Sequence, residues 1–206
     1  LVRSLDSSLG NMLEKIAIHI AEQFYDVERR VEGFITKSQI SFIAKILEEY
    51  KTRKKSPAIN HYNNQSFNLD NKINKRHESD YYIKDKLGNH YLIELKIGGD
   101  LDNKKARSEK EALLEQYFIL KNSLDANQNI KIIFATAYNR FGEDKEWKQE
   151  RVKQFFANEE LLISKDFWNF ICNSEDGYNL VVESYKEYSK SIVMALNRIK
   201  KLYLKK

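Results

Sequence analysis

The sequence predicts an α/β (α+β) fold: a mixed central β-sheet flanked by helices, with further helical regions at both ends of the chain. Three observations carry this. Apolar residues recur at helical spacing before residue 50 and again beyond residue 140. Between those regions Tyr81, Ile83, Tyr91, Ile93 and Leu95 alternate with polar residues, the two-residue period of a half-buried strand. Finally, Ile130–Ala135 has the β-branched composition of a central strand.

In order along the chain, Leu9, Leu13, Ile16, Ala17, Ile20 and Phe24 fall three or four apart and form one face of a first helix, which Asp6 or Ser7 can cap. Ile35, Ile40, Ile43, Ala44 and Leu47 give a second, so residues 1–50 are expected to be helical. That helix runs into Lys51-Thr52-Arg53-Lys54-Lys55-Ser56-Pro57, a basic run closed by the only proline and therefore a boundary. The two alternating stretches flank Lys86-Leu87-Gly88-Asn89, turn chemistry that predicts a β-hairpin. Ala106, Leu113, Leu114, Tyr117 and Leu120 then place a helix over residues 103–122. Strand, strand, helix, strand describes a mixed sheet with a crossover helix. Beyond it, Trp147, Val152, Phe155 and Phe156 predict one helix, Phe167–Ile171 a short one, and Tyr178–Leu204 a long one. Val181, Val182, Tyr185, Tyr188, Ile192, Ala195, Leu196, Ile199 and Leu202 form a stripe along that last helix. The expected organisation is a single domain over 1–206, with N-terminal helices over 1–55, a core over 65–140 and a helical region over 141–206.

Composition bounds the function. In 206 residues, 42% are hydrophobic, enough for a buried core, and 35 Lys and Arg against 30 Asp and Glu give a formal charge of +5. The excess is mild; it fits a polyanionic partner without establishing one. A single cysteine, Cys172, excludes an internal disulfide and a multi-cysteine zinc site, and its neighbours Phe170 and Ile171 point to a buried thiol. The four histidines show no paired spacing for zinc. His19 is expected at a packed helix boundary, and His77 stands three before Asp80. No glycine-rich phosphate loop is present, so no nucleotide cofactor is expected. No signal peptide and no apolar run long enough for a bilayer are visible, so a cytoplasmic, membrane-free setting is the expectation.

The hairpin carries the chemistry. Glu94 and Lys96 are two apart on a strand and emerge on one face, while Ile93, Leu95 and Ile97 take the other. Asp80 opens the preceding strand, where antiparallel pairing can bring it beside Glu94. Adjacent carboxylates repel unless a cation lies between them. Mg²⁺ fits, because it takes oxygen ligands and keeps places for water and phosphate. Lys96 can then neutralise a phosphate or help activate an attacking water, with Asp80 and Glu94 as metal ligands. Past the strand, Gly98-Gly99 permits a sharp exit and a close approach to phosphate. Asp102 or Asn103 can cap the next helix, whose first turns hold Lys104, Lys105 and Arg107. Cations there oppose the helix dipole unless an anion such as DNA phosphate is bound, so Asn103, Lys104, Lys105 and Arg107 are the DNA-binding candidates. Glu109, Glu111 and Glu115 are expected to solvate the same helix.

Asp80 followed by Glu94-Leu95-Lys96 at the end of an apolar strand resembles the PD-(D/E)xK nuclease superfamily, with Ser79 where proline often stands. Two longer stretches, Glu94–Ala106 and Asp6–Glu14, resemble type II restriction endonucleases, including the TdeIII-like subset, and the likeness weakens past residue 140. The resemblance implies a restriction-endonuclease-like core, Mg²⁺-dependent and sequence-specific cleavage of double-stranded DNA at a short palindrome, and a homodimer. It also implies that Glu14, on the first helix, joins the metal site, and that Gln116 stands where some such nucleases carry a glutamine. Base recognition is open to Asn139, Arg140, Lys145 and Lys148 or to a solvated face. Other readings are a junction or repair nuclease, a DNA-binding module without activity, and a helical scaffold. The first is told apart by its branched substrate, the second by background Mg²⁺ binding.

Overall fold

Helices and strands follow in the order α1 (Val2–Ala21), β1 (Asp26–Thr36), α2 (Lys37–Lys51), α3 (Asn60–Asn63), β2 (Lys72–Lys84), β3 (His90–Lys96), α4 (Asn103–Ser123), β4 (Ile130–Thr136), α5 (Glu150–Lys153), β5 (Leu161–Ile163) and α6 (Lys165–Ile171). The structure, a computed structural model, describes residues 2–125, 128–187, 189 and 194; the side chains of residues 2–11 and 80 lie outside that description. Five strands form one sheet in the order β1-β2-β3-β4-β5. β2 runs antiparallel to both of its neighbours, β1 and β3, whereas β4 lies parallel to β3 and β5 parallel to β4. The parallel step from β3 to β4 is made through α4, as parallel neighbours require. This is the mixed, helix-flanked sheet that the sequence predicts.

Alternation along the strands feeds two cores. Val31, Ile35, Tyr82, Leu92, Ile132 and Phe134 pack beneath α2 and α4. On the other face Tyr81, Ile83, Ile93, Ile133 and Ala135 pack against Ala17, Ile18 and Ala21 of α1 and Phe167, Trp168 and Ile171 of α6. Central strands buried on both faces explain the near-continuous apolar runs in β3 and β4.

Residues 26–36 depart from the helical expectation: they are a strand. Val31 and Ile35 stand four apart, a spacing that suits one face of a helix and, being a multiple of two, one face of a strand. Thr36 ends β1 and starts α2 at once. Its hydroxyl accepts from the Gln39 N–H at 3.3 Å, and the Gln39 side chain accepts from the Thr36 N–H at 2.9 Å, a closed capping box. Further along, Trp147, Val152, Phe155 and Phe156 are buried as expected, but only Glu150–Lys153 is helical. The three residues of β5 gave no periodic signal of their own. Residues 177–187 are helical. In the predicted stripe, Val181 joins the second core while Tyr185 is exposed. Tyr188, Ile192, Ala195, Leu196, Ile199 and Leu202 lie outside the described residues. Cys172 is buried, and that burial raises its thiol pKa. Exposed His19 pairs with Glu22 at 3.3 Å rather than packing at a boundary. Among the described residues no helix is long and apolar enough to cross a membrane.

Candidate active site

The register brings two of the predicted positions to the same end of the β2–β3 ladder. Tyr81 of β2 is paired with Ile93 of β3, and their chain neighbours are Asp80 and Glu94. Against β1 the register slips at this point. Between the pairs Glu28–Tyr82 and Arg30–Glu78, β1 has only Arg29, whereas β2 has Ser79, Asp80 and Tyr81. Such a bulge bends a strand and re-aims its side chains, and bulges concentrate at active sites. The part of β2 before the bulge leans on α4. There Glu115 forms an ion pair with Lys75 at 2.7 Å and contacts the His77 imidazole Nε2 at 2.8 Å. The His77 contact first, then Lys75, holds the Glu115 carboxyl below the usual carboxylate range. His77 is therefore engaged with Glu115.

Glu94 and Lys96 share the face of Leu92, the side covered by α4. The Lys96 ammonium donates to a Glu94 carboxylate oxygen and lies 3.2 Å from Oε1 of Glu109 on α4. The lysine side chain keeps 31% of its exposure and Glu94 keeps 14%, so the cluster is lined by protein yet open to solvent. Glu109 was expected to solvate its helix. Its position three after buried Ala106 and four before buried Leu113 is the signal that turns it inward. Glu14, on α1, is half-buried, and its carbonyl accepts from the Tyr81 hydroxyl at 2.8 Å. That bond ties α1 to the residue following Asp80.

β3 leaves the sheet at Gly98-Gly99, and both glycines have a steric reason. A Cβ on Gly98 would stand 2.8 Å from the Tyr138 hydroxyl. Gly99 has φ +67°, and a Cβ there would meet Thr136 at 2.7 Å and Trp147 at 2.9 Å. Between this bare backbone and the segment after β4 lies a cleft of about 590 Å³, lined by Lys96, Gly98, Gly99, Asp100, Tyr138 and Arg140. Arg140 forms an ion pair with Asp100 at its mouth.

Of the four helix-start candidates, Asn103, Lys104 and Lys105 are exposed on the first turn of α4, and Asp102 caps that turn by accepting from the Lys105 N–H at 2.8 Å. Arg107 is half-buried and pairs with Glu111 at 3.4 Å. Gln116 is buried in α4. Asn139 is buried too: its side chain donates to the Lys145 carbonyl at 2.7 Å and accepts from the Phe141 N–H at 3.0 Å, which makes it a loop brace rather than a base reader.

Among the described residues no three His, Cys, Asp or Glu side chains form a group that could hold a metal. The donors that do gather at Lys96 are carboxylates, without sulfur or imidazole. That is hard-oxygen chemistry, the kind that suits Mg²⁺, Ca²⁺ or Mn²⁺. Residues 1–189 match the family described as type II restriction endonuclease, HinfI, so the likeness extends well past residue 140. The match names the HinfI group and not the TdeIII-like subset. No curated protein and no solved structure matches the chain.

Proposed function

The chain belongs to the HinfI family of type II restriction endonucleases, and from that premise we propose that its cleavage centre is a PD-(D/E)xK site built from Asp80, Glu94 and Lys96. The activity is that of a site-specific deoxyribonuclease. The observation that carries the site is Lys96 held beside Glu94 at the open end of β3, next to the β2 bulge. Asp80 and Glu94 would hold Mg²⁺, with Glu14 on α1 contributing from the far side. When bound, the ion lowers the pKa of a water and offsets charge on the phosphorane. The Lys96 ammonium supplies a fixed positive charge to a non-bridging phosphate oxygen. Water oxygen forms a new bond to phosphorus and releases one proton to solvent, the bond to the leaving sugar oxygen breaks, and that oxygen takes a proton from solvent. Lys104 and Lys105, exposed at the start of α4, give the phosphate backbone a cationic landing, with the neutral Asn103 amide as a further donor.

We take the target to be a short palindrome in double-stranded DNA. Two-fold sites are read by two-fold dimers, so a homodimer follows. The C-terminal helical segment, with Leu180 and Tyr185 exposed, is the candidate for pairing with the second copy. The same reading places the protein in the cytoplasm with its DNA. Incubating the protein with unmethylated phage DNA, in Mg²⁺ and in EDTA, tests this directly. Discrete fragments only with Mg²⁺ are expected, and their ends give the site and the stagger. A folded sample that leaves duplex intact but cuts branched DNA would replace this reading with that of a junction nuclease.

A further inference from the structure

We propose that the cleft beside Lys96 seats a phosphate neighbouring the scissile one, with Arg140 as the cation that binds it and Asp100 as the anion it displaces. This rests on the endonuclease reading above. The cleft runs without interruption from Lys96, across Gly98 and Gly99, to Asp100 and Arg140. A strand whose reacting phosphate lies at Lys96 therefore has a bare backbone floor along which to continue. The Cβ directions of the two glycines are filled by Tyr138, and by Thr136 and Trp147, so what they present to the cleft is main chain. Tyr138, 46% exposed, forms the wall.

Arg140 has the chemistry for the role. Its planar guanidinium offers paired donors that match two phosphate oxygens, and it is always charged. Its side chain keeps 41% exposure and that of Asp100 keeps 62%, so the ion pair stands in water, where such pairs contribute little. Phosphate can take the carboxylate's place. Asp100 does not then lose all contact, because the side chain of buried Gln149 reaches its other oxygen at 3.5 Å. Arg140 also lies over the Phe141 ring, 5.9 Å from its centroid, which restricts its swing. In the free protein Asp100 thus holds the arginine at the cleft mouth and competes with DNA for it.

The test is affinity without catalysis. A labelled duplex that the wild-type protein cuts is titrated in EDTA at several salt concentrations, against wild type, Arg140→Ala, Arg140→Lys and Asp100→Asn. Arg140→Ala is expected to bind roughly tenfold more weakly and to flatten the plot of log affinity against log salt by about one unit, the signature of one lost phosphate contact. Arg140→Lys should fall between, and Asp100→Asn should bind more tightly than wild type. Wild-type affinity and slope in Arg140→Ala would overturn the proposal. So would an Asp100→Asn protein weakened as much as Arg140→Ala, since the pair would then be a structural tie. Matching thermal melts show that the variants are folded. Wild type failing to bind or cut any duplex would instead overturn the endonuclease reading, and this proposal with it.

Discussion

Adjacent positions on α4 carry Glu109, which reaches Lys96 at the open end of β3, and Lys110, which reaches Glu160 in the interior. Both contacts join a lysine to a glutamate, yet their surroundings differ in every respect that matters. Lys110 and Glu160 are each 1% exposed. Glu160 accepts from the Lys110 ammonium and from the Tyr62 hydroxyl at 2.6 Å on one oxygen, and from the Ala157 N–H at 2.7 Å on the other. The ammonium also lies 5.0 Å from the ring centres of Tyr62 and Phe156. Burial lowers the Lys110 pKa, and Glu160 opposes that effect. Lys96 instead stands between two carboxylates beside an open cleft. A group that must meet water and phosphate is left accessible, and a group that fixes one helix against its neighbours is closed in.

The contrast breaks most sharply at Glu94. Glu94→Ala is expected to reduce cleavage by roughly a thousandfold or more, because a carboxylate metal ligand supports several kcal/mol of transition-state stabilisation and each 1.4 kcal/mol is a factor of ten. Duplex binding in EDTA should persist or tighten, since a negative charge has left the DNA surface. Asp80→Ala is expected to behave alike. Lys96→Ala should abolish turnover while leaving Mg²⁺ binding, measured by calorimetry, largely intact. A Glu94→Ala protein that cuts at the wild-type rate would remove the assignment.

In the interior the same kind of substitution should act on stability. Lys110→Ala leaves a buried carboxylate without its cation and is expected to cost about 3–5 kcal/mol in urea unfolding. The double variant Lys110→Met, Glu160→Gln should recover part of that loss, because no charge is left buried and the amide oxygen can still accept one of the two remaining hydrogen bonds. Equal destabilisation by single and double variants would show that the charges are not the source. Gly99→Ala is next in size: positive φ and two buried neighbours within 3 Å predict a loss of about 1–3 kcal/mol. Gly98→Ala should cost less, since the half-exposed Tyr138 ring it would touch can move aside.

How far the sequence foretold this varies with the distance over which each feature is set. Glu94 and Lys96 were legible because two positions on one strand determine their common face, and Gly98-Gly99 marked the strand's exit. The helices with clear periodicity, α1 and α4, were legible as well. β1 was not, since a spacing of four satisfies both periods and the charged Glu28, Arg29, Arg30 and Glu32 of this edge strand resemble a helix surface. Lys110 and Glu160 stand 50 residues apart, so nothing local announces their meeting. Arg140 and Asp100 likewise meet only because β4 lies parallel to β3. Pairs made by topology have no signature in spacing.

The smallest expected effect lies at the other end of β3. His90, the first residue of the strand, is buried, and its Nδ1 is 2.7 Å from the Tyr82 hydroxyl. Burial, then the neighbouring Lys84, lowers its pKa below the ordinary 6.5, while Asp85 and Glu28 oppose the shift. In the unfolded chain the imidazole takes a proton near pH 6.5, whereas the folded protein accepts it only at lower pH. Between those points the unfolded state binds more protons, so stability is fully present above pH 6.5 and declines as the pH falls through that window. Urea unfolding of wild type and His90→Asn between pH 8 and pH 5 should show the two curves converging as the pH drops. Curves that stay parallel would mean that His90 titrates alike in both states. Cleavage at neutral pH should be little changed in a folded variant, because His90 and Lys96 stand at opposite ends of the same strand and only one of those ends faces the cleft.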